Sequence, residues 1–419
     1  MSYHSAAALL IFGLVYGIIL AGSKSPRKLD RPAAALIGAV LMVLTGVLTK
    51  HEAQEAISLS TLSLLFGMMI VIHYATQAGL LDRAAHAFLA RCHTAWQLLV
   101  AVCLASGLLS ALFVNDTICL LMTPLLLTIT HRAKLRPEPY LIALATSSNV
   151  GSVMTLTGNP QNMLIGQSSH WTWAQYALRM VPVGLLCLLL NGLIVAAVYR
   201  KHIPAGSLPQ SSEPPAHNHL HRKLAMRTLI TLTGLLAAFG LGMPMDLAAL
   251  TAAIVILVLA NRNPEHAFAA VDWALLLFFA GLFVVVAGVT RTESHWITQV
   301  IPAIIEHTGS IGQLTRFSAA TIAGGNLFSN VPFVMLLRNW IVDLPHAPLL
   351  WLALAASATF SGNLTLLGSV ANLIVAEKAR DNCNLSFMEF LKVGVPTTVI
   401  TTMAAVIMLS AYVHLGIVK

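Results

Sequence analysis

The sequence predicts an all-α polytopic membrane protein built from two inverted repeats. Hydrophobic residues make up 57% of the 419 residues and charged residues only 10%, a composition typical of membrane-embedded chains rather than soluble domains. A polar signature occurs twice inside apolar stretches, as Ser110–Pro124 with Ser147–Asn162 and again as Gly324–Leu337 with Ser361–Asn372. Polar groups at membrane depth are costly unless they are buried in protein or line a cavity. Two matched sets therefore indicate one transport site assembled from two halves.

Apolar stretches of about 20 residues predict roughly ten transmembrane helices. They lie near 5–22, 33–49, 57–79, 139–166, 177–199, 228–243, 245–261, 271–290, 348–376 and 391–415. The stretches 139–166 and 348–376 contain the second part of each polar signature, so we predict that these two helices are broken. The chain divides into an N-terminal half at 1–199, a cytoplasmic linker at 200–227 and a C-terminal half at 228–419.

Two further apolar regions, Ala95–Thr130 and Ile311–Val342, are too long for one crossing. Each has polar residues near its middle, Asn115-Asp116 in the first and Ser329-Asn330 in the second. We predict two re-entrant helical hairpins with tips inside the protein. Two full spans joined by a short loop remain the alternative.

The distribution of positive charge tests this topology. With the loop at 23–31 on the cytoplasmic side and both hairpins returning to the side they entered, 18 of the 24 Lys and Arg residues lie inside. This bias agrees with the positive-inside rule. It places the two hairpins on opposite sides of the membrane, so the repeats are inverted, as in many secondary transporters.

The candidate site combines the hairpin tips with the two helix breaks. Asp116 lies between the apolar runs Phe113-Val114 and Ile118–Leu120. Desolvation there favours its neutral form, which suits a proton carrier; a structural Asp bonded to backbone is the alternative. The second tip has no acid. Asn149 and Asn363 are interpreted as matching positions. The predicted substrate-binding residues are Asn115, Asp116, Thr117, Asn149, Thr155, Thr157, Gly158, Asn159, Ser329, Asn330, Asn363, Thr365, Gly368 and Ser369.

No P-loop, metalloprotease motif or catalytic triad is visible, so we expect no enzyme, no catalytic residue, no cofactor and no metal in the site. The linker run His217–Lys223 could place three imidazoles on one face for a metal; a flexible solvated linker is the alternative. The basic residues lie in loops without interleaved aromatics, which excludes nucleic acid as a partner.

At these residues the chain resembles the ion transporter superfamily, which includes ArsB-type arsenite permeases, NhaD-type sodium/proton antiporters and divalent anion/sodium symporters. Phe113–Pro124 and Leu327–Leu337 resemble the family's hairpins, and Asn149–Gly166 and Thr365–Val375 its broken helices, the last especially in ArsB-like and YbiR-like permeases. The resemblance implies paired hairpins and broken helices around a midplane site. The symporters carry Ser-Asn-Thr at both tips, whereas the first tip here reads Asn-Asp-Thr, as in ArsB-type permeases.

The sequence thus predicts a secondary transporter of small anions or metalloid oxyanions in the bacterial inner membrane. The preferred function is proton-coupled efflux of arsenite or antimonite. The alternatives are a sodium/proton antiporter, a sodium-coupled anion (carboxylate) transporter and, from another class, a channel. A homodimer remains open and, for an ArsB-like protein, so does a cytoplasmic ATPase partner.

Overall fold

The fold is that of a computed structural model, which describes residues 3–21, 30–89, 92–169, 171–206, 221–292, 311–342, 344 and 346–418. These ranges contain nineteen α-helices and no strand. Helices α1 to α10 are Tyr3–Ala21, Arg31–Leu44, Lys50–Ala56, Leu59–Gln77, Leu80–Leu89, Ala95–Leu112, Asn115–Arg132, Glu138–Ser152, Pro160–Ser168 and Trp173–Val198. Helices α11 to α19 are Arg222–Gly240, Met245–Ala260, Glu265–Ala269, Trp273–Arg291, Ile311–Phe328, Asn330–Ile341, Ala347–Ser361, Val370–Ala379 and Phe387–His414.

Six helices of the described ranges, α4, α6, α10, α11, α14 and α19, are long and apolar enough to cross a membrane, and four shorter apolar helices accompany them. Residues at their surface include many large apolar side chains, such as Leu178, Leu189 and Val258, as expected for helices that face lipid. The prediction of an all-α membrane protein is confirmed.

Both predicted hairpins and both predicted breaks are present. Helices α6 and α7 are joined by only two residues, and α15 and α16 by Ser329 alone, which takes a positive φ of 70°. The stretch 139–166 is two helices, α8 and α9. The stretch 348–376 is likewise α17 and α18, separated by an irregular segment with a 3-10 turn at Leu366–Gly368. Pro160, Asn159 and Gly158 explain the first break, because proline begins a helix well and lacks a backbone donor.

The two halves pack through reciprocal helix crossings. A Cβ added to Gly67 in α4 would lie 2.6 Å from the carbonyl carbon of Ala249 in α12. A Cβ added to Gly281 in α14 would lie 2.7 Å from that of Ala35 in α2. Gly281 follows Gly67 by 214 positions, and Ala249 follows Ala35 by the same interval. The two crossings are therefore one contact with the halves exchanged, as an inverted repeat requires.

The structure corrects two boundaries. The predicted span 33–49 ends at Leu44, because Gly46 turns the chain at a φ of 73° and the short helix α3 follows. Helix α11 begins at Arg222, within the predicted linker. The rest of the linker between 207 and 220, with most of the histidine-rich run, lies outside the described residues.

Candidate functional site

The first hairpin tip is joined to the first helix break by hydrogen bonds. The backbone N–H of Asn115 donates to the carbonyl of Gly158 at 3.1 Å. Ser148 in α8 donates its hydroxyl to the Asn115 carbonyl at 3.1 Å. A Cβ on Gly158 would lie 2.2 Å from the Ser152 carbonyl oxygen, so glycine is required where the chain folds back on α8. The tip therefore ends inside the protein, against the broken helix.

The second tip and break repeat this arrangement. Asn330 donates its side-chain Nδ2 to the Gly368 carbonyl at 3.3 Å and accepts from the Ser361 hydroxyl at 2.6 Å. Each tip asparagine thus contacts the carbonyl of the glycine in its own repeat's break. Gly368 is less confined than Gly158, since a Cβ there would lie 3.0 Å from the nearest atom, the Gly362 carbonyl oxygen.

An asparagine side chain spans each break in the same way. Asn162 donates Nδ2 to the carbonyls of Ser152 and Thr155, both at 3.2 Å. Asn372 donates Nδ2 to the carbonyls of Gly362 at 2.7 Å and Thr365 at 3.1 Å. In both repeats the accepting residues lie ten and seven positions before the asparagine. The carbonyls freed by the breaks are therefore held by amide donors.

This register corrects the interpretation of Asn149 and Asn363 as matching positions. The breaks align at an interval of 210, which pairs Asn149 with Thr359. Asn149 lies in the last turn of α8, whereas Asn363 lies beyond the end of α17. The two side chains instead contact each other across the repeats, Asn149 Nδ2 donating to Asn363 Oδ1 at 2.8 Å.

Asn149 is the centre of a buried network that joins the two halves. Its Nδ2 also donates to Asn372 Oδ1 at 3.1 Å, and its Oδ1 accepts from Asn115 Nδ2 at 2.9 Å and from the Ser369 hydroxyl at 3.1 Å. Asn363 continues the network by donating to the Thr146 carbonyl at 3.1 Å. First tip, first broken helix and second break are thereby fixed relative to one another.

A cavity of about 240 Å³ lies where the two tips and the two breaks meet. Its wall includes the first residues of four helices, α7, α9, α16 and α18. Helix N-termini carry unsatisfied N–H groups and a partial positive charge, which favour electron-rich oxygen atoms. Asn115 Oδ1 is buried, and no described residue donates a hydrogen bond to it. The four helix N-termini therefore favour a polar solute whose oxygen atoms face them.

Three charged residues line this cavity within the described part of the chain: Arg31, Asp116 and Asp272. Asp116 is half-buried, and its carboxylate has no hydrogen bond or ion pair there. Its charge interacts with those of Asp272 and Arg31. Asp30 caps α2 by accepting from the Ala33 N–H at 3.0 Å, and Asp272 caps α14 by accepting from the Leu275 N–H at 2.9 Å.

The predicted site residues fall into two groups. Those that line the cavity are Asn115, Asp116, Ser329, Asn330, Gly368 and Ser369. The others support its wall: Asn149, Thr155, Thr157, Gly158, Asn159, Asn363 and Thr365 make hydrogen bonds in or around the breaks. Thr117 follows the tip in α7 without lining the cavity.

Sequence reasoning missed the parts of the wall contributed by α2 and α14, including Arg31, Asp272 and Phe278. These residues lie far from the repeated signature in sequence. The one available signal was that Arg31 and Asp272 each begin an apolar helix. Asn162 and Asn372 lie within the repeated polar signature, and their equal spacing from each break could have identified their role.

The family follows from comparison with known proteins. A sequence profile of the citrate transporter family CitMHS matches residues 7–356. The chain belongs to the CitMHS family. The superfamily resemblance drawn from the motifs is thereby confirmed.

Relatives of this CitMHS protein are similar over nearly their whole length. The silicon efflux transporter LSI3 of Oryza sativa subsp. japonica is 29% identical, over 93% of this chain and 94% of the relative. A transporter named arsB of Dictyostelium discoideum is 25% identical over 90% and 87%. A 46 kDa membrane protein of Mycobacterium leprae is 26% identical over 95% and 96%.

Two solved structures share the fold. The YdaH transporter of Alcanivorax borkumensis has a TM-score of 0.59 at 15% identity, covering 100% of both chains. MtrF of Neisseria gonorrhoeae has a TM-score of 0.63 at 12% identity, covering 98% of this chain and 95% of MtrF. Its membership of the CitMHS family, together with its apolar helices, makes this chain a multi-pass secondary transporter of the cell membrane and not an enzyme.

Proposed function

We propose that this protein exports a small uncharged metalloid hydroxide, with arsenite and antimonite as first candidates, in exchange for protons. The observation that carries the proposal is the cavity between the two tips. The carboxylate of Asp116, which has no described partner, shares the wall of this cavity with the N-terminal ends of four helices, whose partial positive charge favours electron-rich oxygen atoms. A polyhydroxylated solute can donate to the carboxylate and accept from the amides at once.

The charges of the cavity favour a neutral or singly charged solute. Two carboxylates face one guanidinium, and the four helix N-termini each add a partial charge of at most about +0.5. The cavity as a whole stays close to neutral. A trivalent citrate would be poorly balanced there, because Arg31 is the only cationic side chain in the described wall. The name of the family is thus a weaker guide to the solute than the wall of this cavity.

Competition at Asp116 would couple the solute to protons. The ionised carboxylate can accept hydrogen bonds from solute hydroxyls, whereas the protonated group has lost that capacity on one oxygen. Proton and solute therefore compete for one carboxylate oxygen, and this competition would link their movements. The second tip has Val331 in the position of Asp116, so a single acid would carry the coupling.

Sodium coupling, the alternative from the sequence, is less well supported by the breaks. A sodium site needs free oxygen ligands, which transporters of this kind obtain from unwound backbone. Here Asn162 and Asn372 donate to four of those carbonyls, and the tip asparagines contact two more. We therefore favour protons as the coupling ion.

The names of two relatives agree with this solute class, since one is a silicon efflux transporter and one carries the name arsB. Silicic acid is, like arsenite, a neutral hydroxide near neutral pH, and we include it among the candidates. A homodimer and an ATPase partner remain compatible with the proposal and are not required by it.

Transport by the purified protein in proteoliposomes tests the proposal. Arsenite, antimonite, silicic acid and citrate are offered under an imposed pH gradient, with sodium present or replaced by choline. We expect saturable, pH-driven movement of at least one hydroxide, no dependence on sodium and no movement of citrate. Asp116→Asn should abolish pH-driven transport, whereas Asp272→Asn, the matched control on the other acid of the cavity, should retain it. Sodium-dependent citrate transport would refute the proposal.

A further inference from the structure

Among the described residues, the cavity has a cationic side chain on one side only. Arg31 is half-buried at the start of α2 and lines the cavity. No carboxylate oxygen of a described residue lies within 4.0 Å of its guanidinium nitrogens. Helices α2 and α14 run parallel, since Gly281 meets Ala35 and Gly288 meets Met42. Arg31 and Asp272, at the two N-termini, therefore flank the same mouth of the cavity.

The inverted repeat identifies the residues at the opposite mouth. The interval of 214 fixed by the reciprocal crossings pairs Arg31 with Met245, Pro32 with Asp246 and Asp272 with Ser58. The opposite mouth therefore has an acid but no cation at the equivalent positions.

The two mouths also differ in how they are packed. A Cβ on Gly166 in α9 would lie 2.4 Å from the Met245 methyl group, so α9 is packed against the opposite mouth. The equivalent space on the Arg31 side lies between α18 and α2, where the cavity is lined by Val370, Arg31 and Pro32. The cavity thus lies beside Arg31, whereas α9 packs against Met245 at the equivalent position of the other repeat.

We propose that Arg31 binds the oxygen atoms of the solute at this mouth and makes the protein more sensitive to solute on this side of the membrane than on the other. A guanidinium presents several N–H donors in a fixed plane and bonds readily to oxyacids and their conjugate bases. At the equivalent positions of the other repeat, Met245 and Asp246 offer no guanidinium for the solute to bind. This asymmetry does not set the direction of net transport, which the coupling gradient decides. It sets the solute concentration at which each side becomes saturated.

The inference takes its solute class from the proposed function, and the test separates the two. Right-side-out and inside-out membrane vesicles each expose one mouth to added solute. Initial rates of entry are measured against concentration with arsenite, and with silicic acid as a second probe. Arg31→Met installs the residue of the opposite mouth, Arg31→Lys keeps the charge without the planar donors, and Arg200→Met removes an exposed charge outside the cavity as control.

In vesicles that expose the Arg31 mouth, we expect Arg31→Met to raise the half-saturating concentration about tenfold, the loss of one charge-assisted hydrogen bond. In vesicles that expose the opposite mouth, the half-saturating concentration of Arg31→Met should stay within about twofold of the wild-type value. Arg31→Lys should recover part of the difference, and Arg200→Met should change neither side. If Arg31→Met fails to insert, Arg31→Gln replaces it.

An equal rise on both sides, or no rise on either, would overturn the inference while leaving the proposed function intact. Failure of the wild-type protein to move either probe would overturn both.

Discussion

Replacing Asn149 by alanine should loosen the junction between the two halves. The side chain is 2% exposed and makes four hydrogen bonds, to Asn115, Asn363, Asn372 and Ser369. At about 0.5–1.5 kcal/mol for each net hydrogen bond, their loss lowers the free energy of unfolding by about 2–6 kcal/mol. Asn149→Thr, which copies the equivalent residue of the second repeat, should retain part of this because a hydroxyl can both donate and accept.

The pairwise interaction is the sharper measurement. We compare Asn149→Ala, Asn363→Ala and the double variant after purification in detergent. Thermal unfolding gives their stabilities, and calorimetry gives their affinities for the transported solute. Because both single changes remove the same hydrogen bond, the double variant should be more stable than the sum predicts by about 0.5–1.5 kcal/mol. Thr233→Ala, which removes an exposed hydroxyl bonded within α11, should add to Asn149→Ala within about 0.5 kcal/mol. Additive effects of Asn149 and Asn363 would refute a shared network.

Three further outcomes are expected. Cysteines placed in 132–136 or in 200–227 should not react with a membrane-impermeant reagent added outside intact cells, because the positive charges concentrate in these cytoplasmic segments. Labelling from outside would contradict the predicted topology. Gly158→Ala should lower thermal stability more than Gly368→Ala, since an added Cβ lies 2.2 Å from a backbone oxygen in the first case and 3.0 Å in the second. Gly234→Ala serves as the control, because an added Cβ there has nothing within 4 Å. Replacement of sodium by choline should leave the measured binding affinity for the solute unchanged, and a marked loss would restore sodium as the coupling ion.

Much of the fold follows from local features of the sequence. Apolar length marks most of the crossings, and polar residues in the middle of two long apolar stretches mark the hairpin tips at 113–114 and Ser329. Pro160 and Gly158 mark the first break through their backbone constraints. These signals are local, so a single sequence carries them without knowledge of what each helix contacts.

The composition of the site could be predicted only in part. Arg31 and Asp272 reach the cavity because α2 and α14 cross near Ala35 and Gly281, a contact between segments more than 200 positions apart. The interval between the repeats is also not constant, being 214 at this crossing and 210 at the breaks. A comparison of equal residue types therefore paired Asn149 with Asn363, whereas the structure places them in contact rather than in equivalent positions.

The two repeats contribute matched residues to the shape of this cavity and unmatched residues to its charge. Asn162 and Asn372 span their breaks with the same spacing, and comparable residues in both halves shape the wall. Each of the three charged residues described in the wall has an uncharged residue at the equivalent position of the other repeat: Asp116 corresponds to Val331, Arg31 to Met245 and Asp272 to Ser58. A protein that must present one site to both sides needs matched backbones, because each half must adopt the other's conformation in turn. Coupling and sidedness require that the two states differ in charge, and these three side chains of the wall, together with Asp246 opposite Pro32, supply such a difference.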